Sequence, residues 1–429
     1  MSYEQLPLKR MATVTLGKMI QTAPSGSLDS EAPYLRAAHV QPNGRLIEAE
    51  EKRMWFRSGE LEELSLEGDD VVIVEGGAGY GRSAVLSQAR SGWGFQNSIV
   101  RVRPQHNRAS GRFINYAVQS ALRSGAIAAA CNTATIPHFT ADKVADLPLP
   151  SPTFDVQQAI ADYLDRETAQ IDTLIAKQEQ LIATLRERRI GTIREAVTKG
   201  IDPRARMIDS QVDWIGMVPQ HWRCDRLRWS VSDSQTGVWG DDPRGDETDV
   251  ICVRVADFDR RRLRVGSTHT RRSVRPQDLA PRLLESKDLL LEKSGGTPIN
   301  PVGFVVIFNG SATPAVSSNF IARLRVAERQ DPRYWLYAHA ASYATGLTAR
   351  SVNQTTGIQN LDQSAYFSEI FPFPPAEEQR AIAEFLDIRC NRIDTLLYKA
   401  TALISLAKER RAALITAAVT GQIDVRAAA

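Results

Sequence analysis

The sequence predicts an α+β fold: two mixed α/β domains alternating with two long helices that pair as an antiparallel coiled coil, an internal pseudo-twofold repeat. Three observations predict it. The chain matches itself at an offset of 222 positions, where Ala159-Ile-Ala-Asp-Tyr-Leu-Asp165 meets Ala381-Ile-Ala-Glu-Phe-Leu-Asp387 and Ile171-Asp-Thr-Leu174 meets Ile393-Asp-Thr-Leu396. Glu187-Arg-Arg189 likewise meets Glu409-Arg-Arg411, and about 24 of 53 positions from Pro150 to Asp202 are identical without a gap. Within each copy the apolar residues recur at helical spacing, and each copy comes after a longer stretch patterned as short strands. A period this long is a duplicated half-protein, since solenoid units run to roughly 20–50 residues.

Residues 1–146 read as the first mixed domain. Pro33 to Val40 is strand-like, and Gln41-Pro-Asn-Gly44 is a turn. Asp70 to Glu75 is a buried strand running into Gly76-Gly-Ala-Gly-Tyr-Gly81, Ser98 to Arg103 is a further strand, and Arg112 to Arg123 is a helix. Asn132 to Pro137 is a polar loop leading to the proline-rich segment Leu147-Pro-Leu-Pro-Ser-Pro152. Proline lacks a donor and biases its predecessor to extended backbone, so that segment marks a helix boundary.

The first helical region covers 147–202, with apolar positions at Ile160, Leu164, Ile171, Leu174, Ile175, Leu181, Ile182, Leu185, Ile193 and Val197. Gly200 stands where a helix stop is expected. About 45 helical residues at 1.5 Å each make a rod of roughly 65–70 Å. A rod that long cannot bury its stripe against a small domain, and its natural partner is the other copy. The pairing stripe is expected at Leu164, Ile171, Leu174 and Leu181, facing Leu386, Ile393, Leu396 and Leu403. A plain helical hairpin serving only stability is the alternative.

A linker at 203–222 carries Val212-Asp-Trp-Ile-Gly-Met-Val-Pro-Gln-His-Trp222, aromatic enough to anchor on the second mixed domain. That domain, residues 223–368, repeats the order of the first more loosely. Val250 to Val255 parallels Pro33 to Ala38, Asp288 to Gly296 parallels Asp70 to Gly77, and Ser318 to Arg325 parallels Gln96 to Arg103. Phe371-Pro-Phe-Pro-Pro375 opens the second helical region, 369–429, which ends near Gly421. Like helices and unlike domains imply a shared spacing task and related tasks of different specificity.

Bulk properties are those of a soluble globular chain: 429 residues, 43% hydrophobic, 24% charged and a formal net charge of +3. No apolar run reaches the length of a membrane span and the first residues lack a signal-peptide pattern. Cys131, Cys224, Cys252 and Cys390 are scattered without metal-ligand spacing, which fits reduced thiols in a cytoplasm. The six histidines show no metal-ligand pairing and no nucleophile partner.

The glycine run invites a nucleotide-binding reading, because glycines let a phosphate approach the backbone. That reading needs a helix to start immediately afterwards, and Arg82-Ser-Ala-Val-Leu-Ser suits a strand or loop. A tight turn beside a DNA backbone suits Gly77, Tyr80 and Arg82 better. Asp331-Pro-Arg-Tyr334 resembles an amino-methyltransferase motif but lacks its second proline, and reads as a helix start.

A local basic footprint lies around Gly266: Arg260, Arg261, Arg262, Arg264, Arg271, Arg272 and Arg275 on an expected hairpin. Such a cluster can neutralise phosphates and make binding salt-dependent; its alternative is a solvated edge hairpin. Arginine on guanine, or asparagine on adenine, would carry base readout. The candidates are Arg36, His39, Tyr80, Arg82, Asn97, Arg254, Thr297, Asn300 and Asn319, with Ser294, Gly295 and Gly296 at the strand end matching Gly77. Asn97 and Asn319 have a second reading, as caps for buried backbone groups.

This layout resembles the specificity subunit of type I restriction–modification systems. The resemblance rests on the two repeated helical motifs, on Trp214-Ile-Gly-Met-Val-Pro-Gln-His-Trp222 between the halves, and on the strand Asp288-Leu-Leu-Leu-Glu-Lys-Ser-Gly-Gly296. In the first half Val74-Glu-Gly-Gly77 stands where that strand motif has Glu-Lys-Ser-Gly, which weakens the transfer there. The resemblance implies two target-recognition domains, each reading one half of a split site in double-stranded DNA, with the helices fixing the spacer. It implies a non-catalytic chain with no cofactor of its own. Two methyltransferase subunits, using S-adenosylmethionine, would dock on it, and restriction subunits using ATP and Mg²⁺ would join a larger complex. A scaffold that never touches DNA, and an enzyme acting through Gly76 to Gly81, are the competing classes.

Overall fold

The structure, a computed structural model, describes residues 3–131, 137–268, 270–297, 299–355 and 357–425. The polar loop expected at 132–137 therefore falls, apart from Pro137, outside the described residues. Two compact units emerge: Met1–Glu179 with Ala402–Ala429, and Gln180–Thr401. The division passes through both long helices, which run Phe154–Lys199 and Ala376–Val419. Each unit thus holds one α/β domain, the near part of the helix after it, and the far part of the other helix.

In the first unit a four-stranded antiparallel sheet has the order Ala12–Leu16, Ile99–Pro104, Val71–Val74, Ser83–Val85. All four residues of Val71–Val74 are buried, as a run of β-branched residues at a sheet centre should be. A second, three-stranded sheet pairs Ser30–Leu35 antiparallel with Arg53–Phe56 and parallel with Gly94–Phe95. The strand expected over Pro33 to Val40 stops at Leu35, and Ala37–His39 turns as a 3-10 helix. Gly44 N–H donates to the Gln41 carbonyl at 3.2 Å, closing the expected turn. Ser110 caps the Gly111–Arg123 helix, its hydroxyl accepting from Phe113 N. One face of that helix joins Leu8, Val71, Val100 and Val102 of the domain and Ile160, Leu164, Ile415 and Val419 of the long helices in one core.

The second unit is built alike. Its six-stranded sheet starts Val231–Thr236, Ile321–Val326, Leu289–Glu292, Val305–Ile307 and ends with the short pair Arg264–Val265 and Phe258–Asp259. The central register puts Leu289 on Leu324 and Leu290 on Arg323, as Val71 sits on Val102 and Val72 on Arg101. Asp249–Val253 pairs parallel with Ala315–Ser317 and antiparallel with Arg271–Ser273. Asp331 caps the Pro332–Ala344 helix, accepting from Arg333 N and Tyr334 N at 2.8 and 3.2 Å. Trp214, Ile215 and Trp222 of the linker are buried in this unit's core, and Trp214 Nε1 donates to the Ile370 carbonyl at 3.0 Å.

The stripe of the long helices differs in phase from the expectation. Ile171 and Ile393 are buried, as are Leu164 and Leu386, but Leu174, Leu181, Leu396 and Leu403 are 39%, 42%, 44% and 38% exposed. The covered line runs instead through Thr168, Ile171, Ile175, Gln178, Ile182 and Leu185, and through Cys390, Ile393, Leu397, Ala400, Ile404 and Ala407. Its steps alternate three and four from one end to the other. Choosing Leu174 in place of Ile175 takes a three where the helix takes a four, and every later position then lands one residue off the seam. In the second unit Leu185, Ile393 and Leu397 form a small cluster of their own.

Candidate nucleic-acid interface

Each α/β domain is fastened to its helix by repeated polar residues. Gln157 is fully buried: its Oε1 accepts from Ser110 N at 3.0 Å, and its Nε2 donates to the Arg108 and Pro152 carbonyls at 3.2 and 2.9 Å. Gln379, its repeat mate, accepts from Asp331 N at 2.9 Å and donates to Gln330 Oε1 and the Pro374 carbonyl. Further along the first helix, Asp165 holds Arg112 and the Tyr116 hydroxyl, both at 2.7 Å. Asp387 holds Arg333 and the Tyr337 hydroxyl at 2.9 and 2.8 Å. Sequence reasoning missed these residues as a site; their signal was polar identity at buried-phase positions of the repeat.

In the second unit the ends of three strands leave an open cavity of about 500 Å³. Five of the expected residues line it: Arg254, Ser294, Gly295, Gly296 and Asn319. Trp239 and Phe320, 40% and 43% exposed, flank it and were not anticipated. The Arg272 guanidinium lies 4.6 Å over the Trp239 ring, a stacked arrangement available to a cation beside an aromatic face. Gly295 has φ +109°, with open space where a side chain would begin, so backbone can be approached closely there. Glu292 forms the floor; burial raises its carboxyl above the ordinary range, while Arg260, at 2.5 Å, pulls the other way. Arg254 is steadied by Asp257, 2.9 Å away, and Ser294 Oγ donates to Asn360 Oδ1 at 2.7 Å. Thr297 and Asn300 bond one another in the adjoining exposed turn, away from the cavity wall.

The arginine cluster does not form one basic hairpin. Phe258–Asp259 and Arg264–Val265 make a short hairpin, while Arg271–Ser273 belongs to the other sheet. Arg260 is committed to Glu292 and stacks on Phe304, Arg261 donates to the Asp394 carbonyl at 2.7 Å, and Arg262 meets Asp259. Arg272 meets Asp242 at 2.5 Å and Arg275 meets Asp278 at 2.8 Å. Nearby carboxylates thus neutralise most of the expected footprint. Arg264 and Arg271 are exposed and have no ion pair among the described residues.

In the first unit His39 is 1% exposed, edge-on to Trp93, with its Nδ1 3.1 Å from Arg36 N. Burial lowers its pKa, and the ring is turned inward to the 3-10 turn instead of outward to solvent. Arg36 Nη2 donates to the Glu50 carbonyl at 3.1 Å. Gly77, with φ +75°, opens to free space, and Tyr80 and Arg82 are half-buried in the loop behind it. The glycine run itself contains a 3-10 turn, Gly77–Gly79, and strand Ser83–Val85 follows it, so no α-helix N-terminus follows to meet phosphates. Asn97 N donates to the Lys18 carbonyl at 2.8 Å. Among the described residues no cluster of three or more potential metal ligands occurs, the four cysteines are free, and no helix is long and apolar enough to cross a membrane.

Comparison with known proteins shows what the chain is similar to. Residues 3–183 match the model of the type I restriction modification DNA specificity domain. The type I restriction enzyme EcoBI specificity subunit of Escherichia coli is 26% identical over 110 residues, which span 26% of this chain and 23% of that relative. A solved chain from work on complex assembly and conformational transition of the type I R-M system superposes with TM-score 0.72 at 15% identity, covering 98% of both chains. The HsdS subunit from Thermoanaerobacter tengcongensis superposes with TM-score 0.54 at 15% identity, over 98% of this chain and 97% of that one. Residues 3–183 thus match a type I restriction modification DNA specificity domain, and the chain shares its fold over nearly its whole length with these solved chains.

Proposed function

We propose that the chain is the DNA-reading subunit of a type I restriction–modification complex and does no chemistry itself. Residues 1–146 and 223–368 act as target-recognition domains, each taking one half of a bipartite site. The helical regions 147–202 and 369–429 pair antiparallel, set the spacer between the halves and receive two modification subunits, with restriction subunits joining the larger assembly. The observation that supports DNA reading best is the cavity of the second domain. Arginine and asparagine, the side chains suited to guanine and adenine edges, line it together with glycines that admit close approach and two exposed aromatics. The pairing of most hairpin arginines with carboxylates moves the expected contact away from Arg260, Arg261 and Arg262 and towards Asn319, Arg264 and Arg271.

The test is selection of DNA from a random-sequence duplex pool by the full chain, alone and co-expressed with a modification subunit. A split motif with one spacer supports the reading. Asn319→Ala and Trp239→Ala should relax one half of that motif, each by roughly 1–3 kcal/mol of discrimination, and leave the other half intact. Recovery of no motif, with binding insensitive to salt, would favour a scaffold that never touches DNA.

A further inference from the structure

In each unit an arginine from a domain loop reaches a repeated aspartate of the long helix, and a repeated arginine of the other helix meets that same aspartate. In the first unit Arg45 Nη2 donates to Asp172 Oδ2 at 2.9 Å, and Arg411 Nε donates to Asp172 Oδ1 at 3.1 Å. In the second, Arg261 Nη2 donates to the Asp394 carbonyl at 2.7 Å, with its Nε 3.6 Å from Asp394 Oδ1, and Arg189 Nε lies 3.6 Å from the same oxygen. Asp172 and Asp394 are repeat mates, as are Arg189 and Arg411, and all four side chains are only 12–14% exposed. Arg45 and Arg261 are not repeat mates. They come from loops of unlike sequence, Gln41 to Arg45 and Asp259 to Arg262, that lie after corresponding 3-10 turns, Ala37–His39 and Val255–Asp257.

We infer that Arg45 and Arg261 are positioning residues that lock each recognition domain to the paired helices, so that spacer choice depends on them. This rests on the proposal that the chain reads DNA. The Gln157 and Gln379 fastenings, and those of Asp165 and Asp387, all lie in the first turns of each helix and leave the far edge of the domain unheld. The shared aspartate is 15 residues beyond the glutamine, roughly 22 Å of helix, so a contact there holds that edge. Arg411 strengthens the case: its Nη2 donates to the Asn43 carbonyl of the same loop at 3.1 Å, so the loop touches both helices together. A domain seated this way is aligned only while the two helices hold register, and a partly buried charge pair is a known device for holding register.

The experiment repeats the duplex selection with the full chain and its co-expressed modification subunit, now counting spacer lengths. Wild type should return one spacer. Arg45→Ala and Arg261→Ala should each lower the ratio of that spacer to its one-base-pair neighbours about fivefold, with both half-sites unchanged. Arg45→Lys should keep most of the ratio. Asp172→Asn, which also weakens the Arg411 contact, should lower the ratio at least as far as Arg45→Ala, and the double variant should be no worse than Asp172→Asn alone, since Arg45 acts through Asp172. Unchanged spacer ratios in Arg45→Ala would overturn the inference while leaving DNA reading intact. So would affinity lost evenly at all spacers in Arg261→Ala with a shallower salt slope, which marks a phosphate contact. A wild type that selects no split site would sink the DNA-reading proposal, and this one with it.

Discussion

Replacing Gln157 by leucine should loosen the first domain from its helix. The side chain is fully buried and makes three hydrogen bonds, so leucine of similar size would strand Ser110 N–H and the Arg108 and Pro152 carbonyls away from water. An orphaned buried backbone group costs about 1–3 kcal/mol. Ser110 N and the Pro152 carbonyl, at 3.0 and 2.9 Å, lose the most, and the 3.2 Å bond to Arg108 loses less. Against roughly 4 kcal/mol from these stands about 1 kcal/mol from burying the new methyl groups, leaving a net loss near 3 kcal/mol. Ser110 caps the Gly111–Arg123 helix, so amide hydrogen exchange over that helix is the sensitive assay. Protection there should fall by roughly 100-fold, while the exposed neighbour change Gln158→Leu should leave it as it was. Gln379→Leu should act the same way on the Pro332–Ala344 helix. A fall below tenfold in both variants would refute the idea that these glutamines fasten domain to helix.

The seam gives a paired prediction. Ile393→Ala, at a site 8% exposed and packed on Leu185 and Leu397, should destabilise by about 2–4 kcal/mol in denaturant titration, whereas Leu396→Ala, 44% exposed, should cost less than about 1 kcal/mol. His339 predicts an acid limb to stability. Burial lowers its pKa to about 3, so between pH 6.5 and 3 the unfolded chain binds a proton that the folded chain refuses. Stability from this group is complete above pH 6.5 and falls as pH drops, at most about 1.4 kcal/mol per unit, until about pH 3. His339→Phe should flatten that slope in urea titrations across the window; an unchanged slope would assign the acid limb elsewhere.

Much of the architecture was legible. The two helices, their glycine stops, the strands Val71–Val74 and Leu289–Glu292, and the helix started by Asp331 all come from local pattern. The misses share one cause. Strand-like Pro33 to Val40 breaks after Leu35 because Arg36 N and the Leu35 carbonyl go to His39 and to Gln96 N, partners set by the turn and by a distant segment. Seven clustered arginines looked like a phosphate patch because sequence shows their charge and hides the carboxylates that meet them. Trp239 and Phe320 gave no signal, since exposed aromatics at strand ends are indistinguishable in sequence from core residues.

The sequence by itself determined the duplication and the order of helices and strand-rich stretches. Those rest on identity and periodicity, which are properties of neighbours along the chain. Tertiary structure alone decided which turn of the heptad faces inward, since Leu174 and Ile175 are both apolar and only a packed partner chooses between them. It also decided which charges are committed and which are free. An arginine's role depends on the carboxylate within about 4 Å, and here those carboxylates come from as far away in sequence as Asp172 is from Arg411.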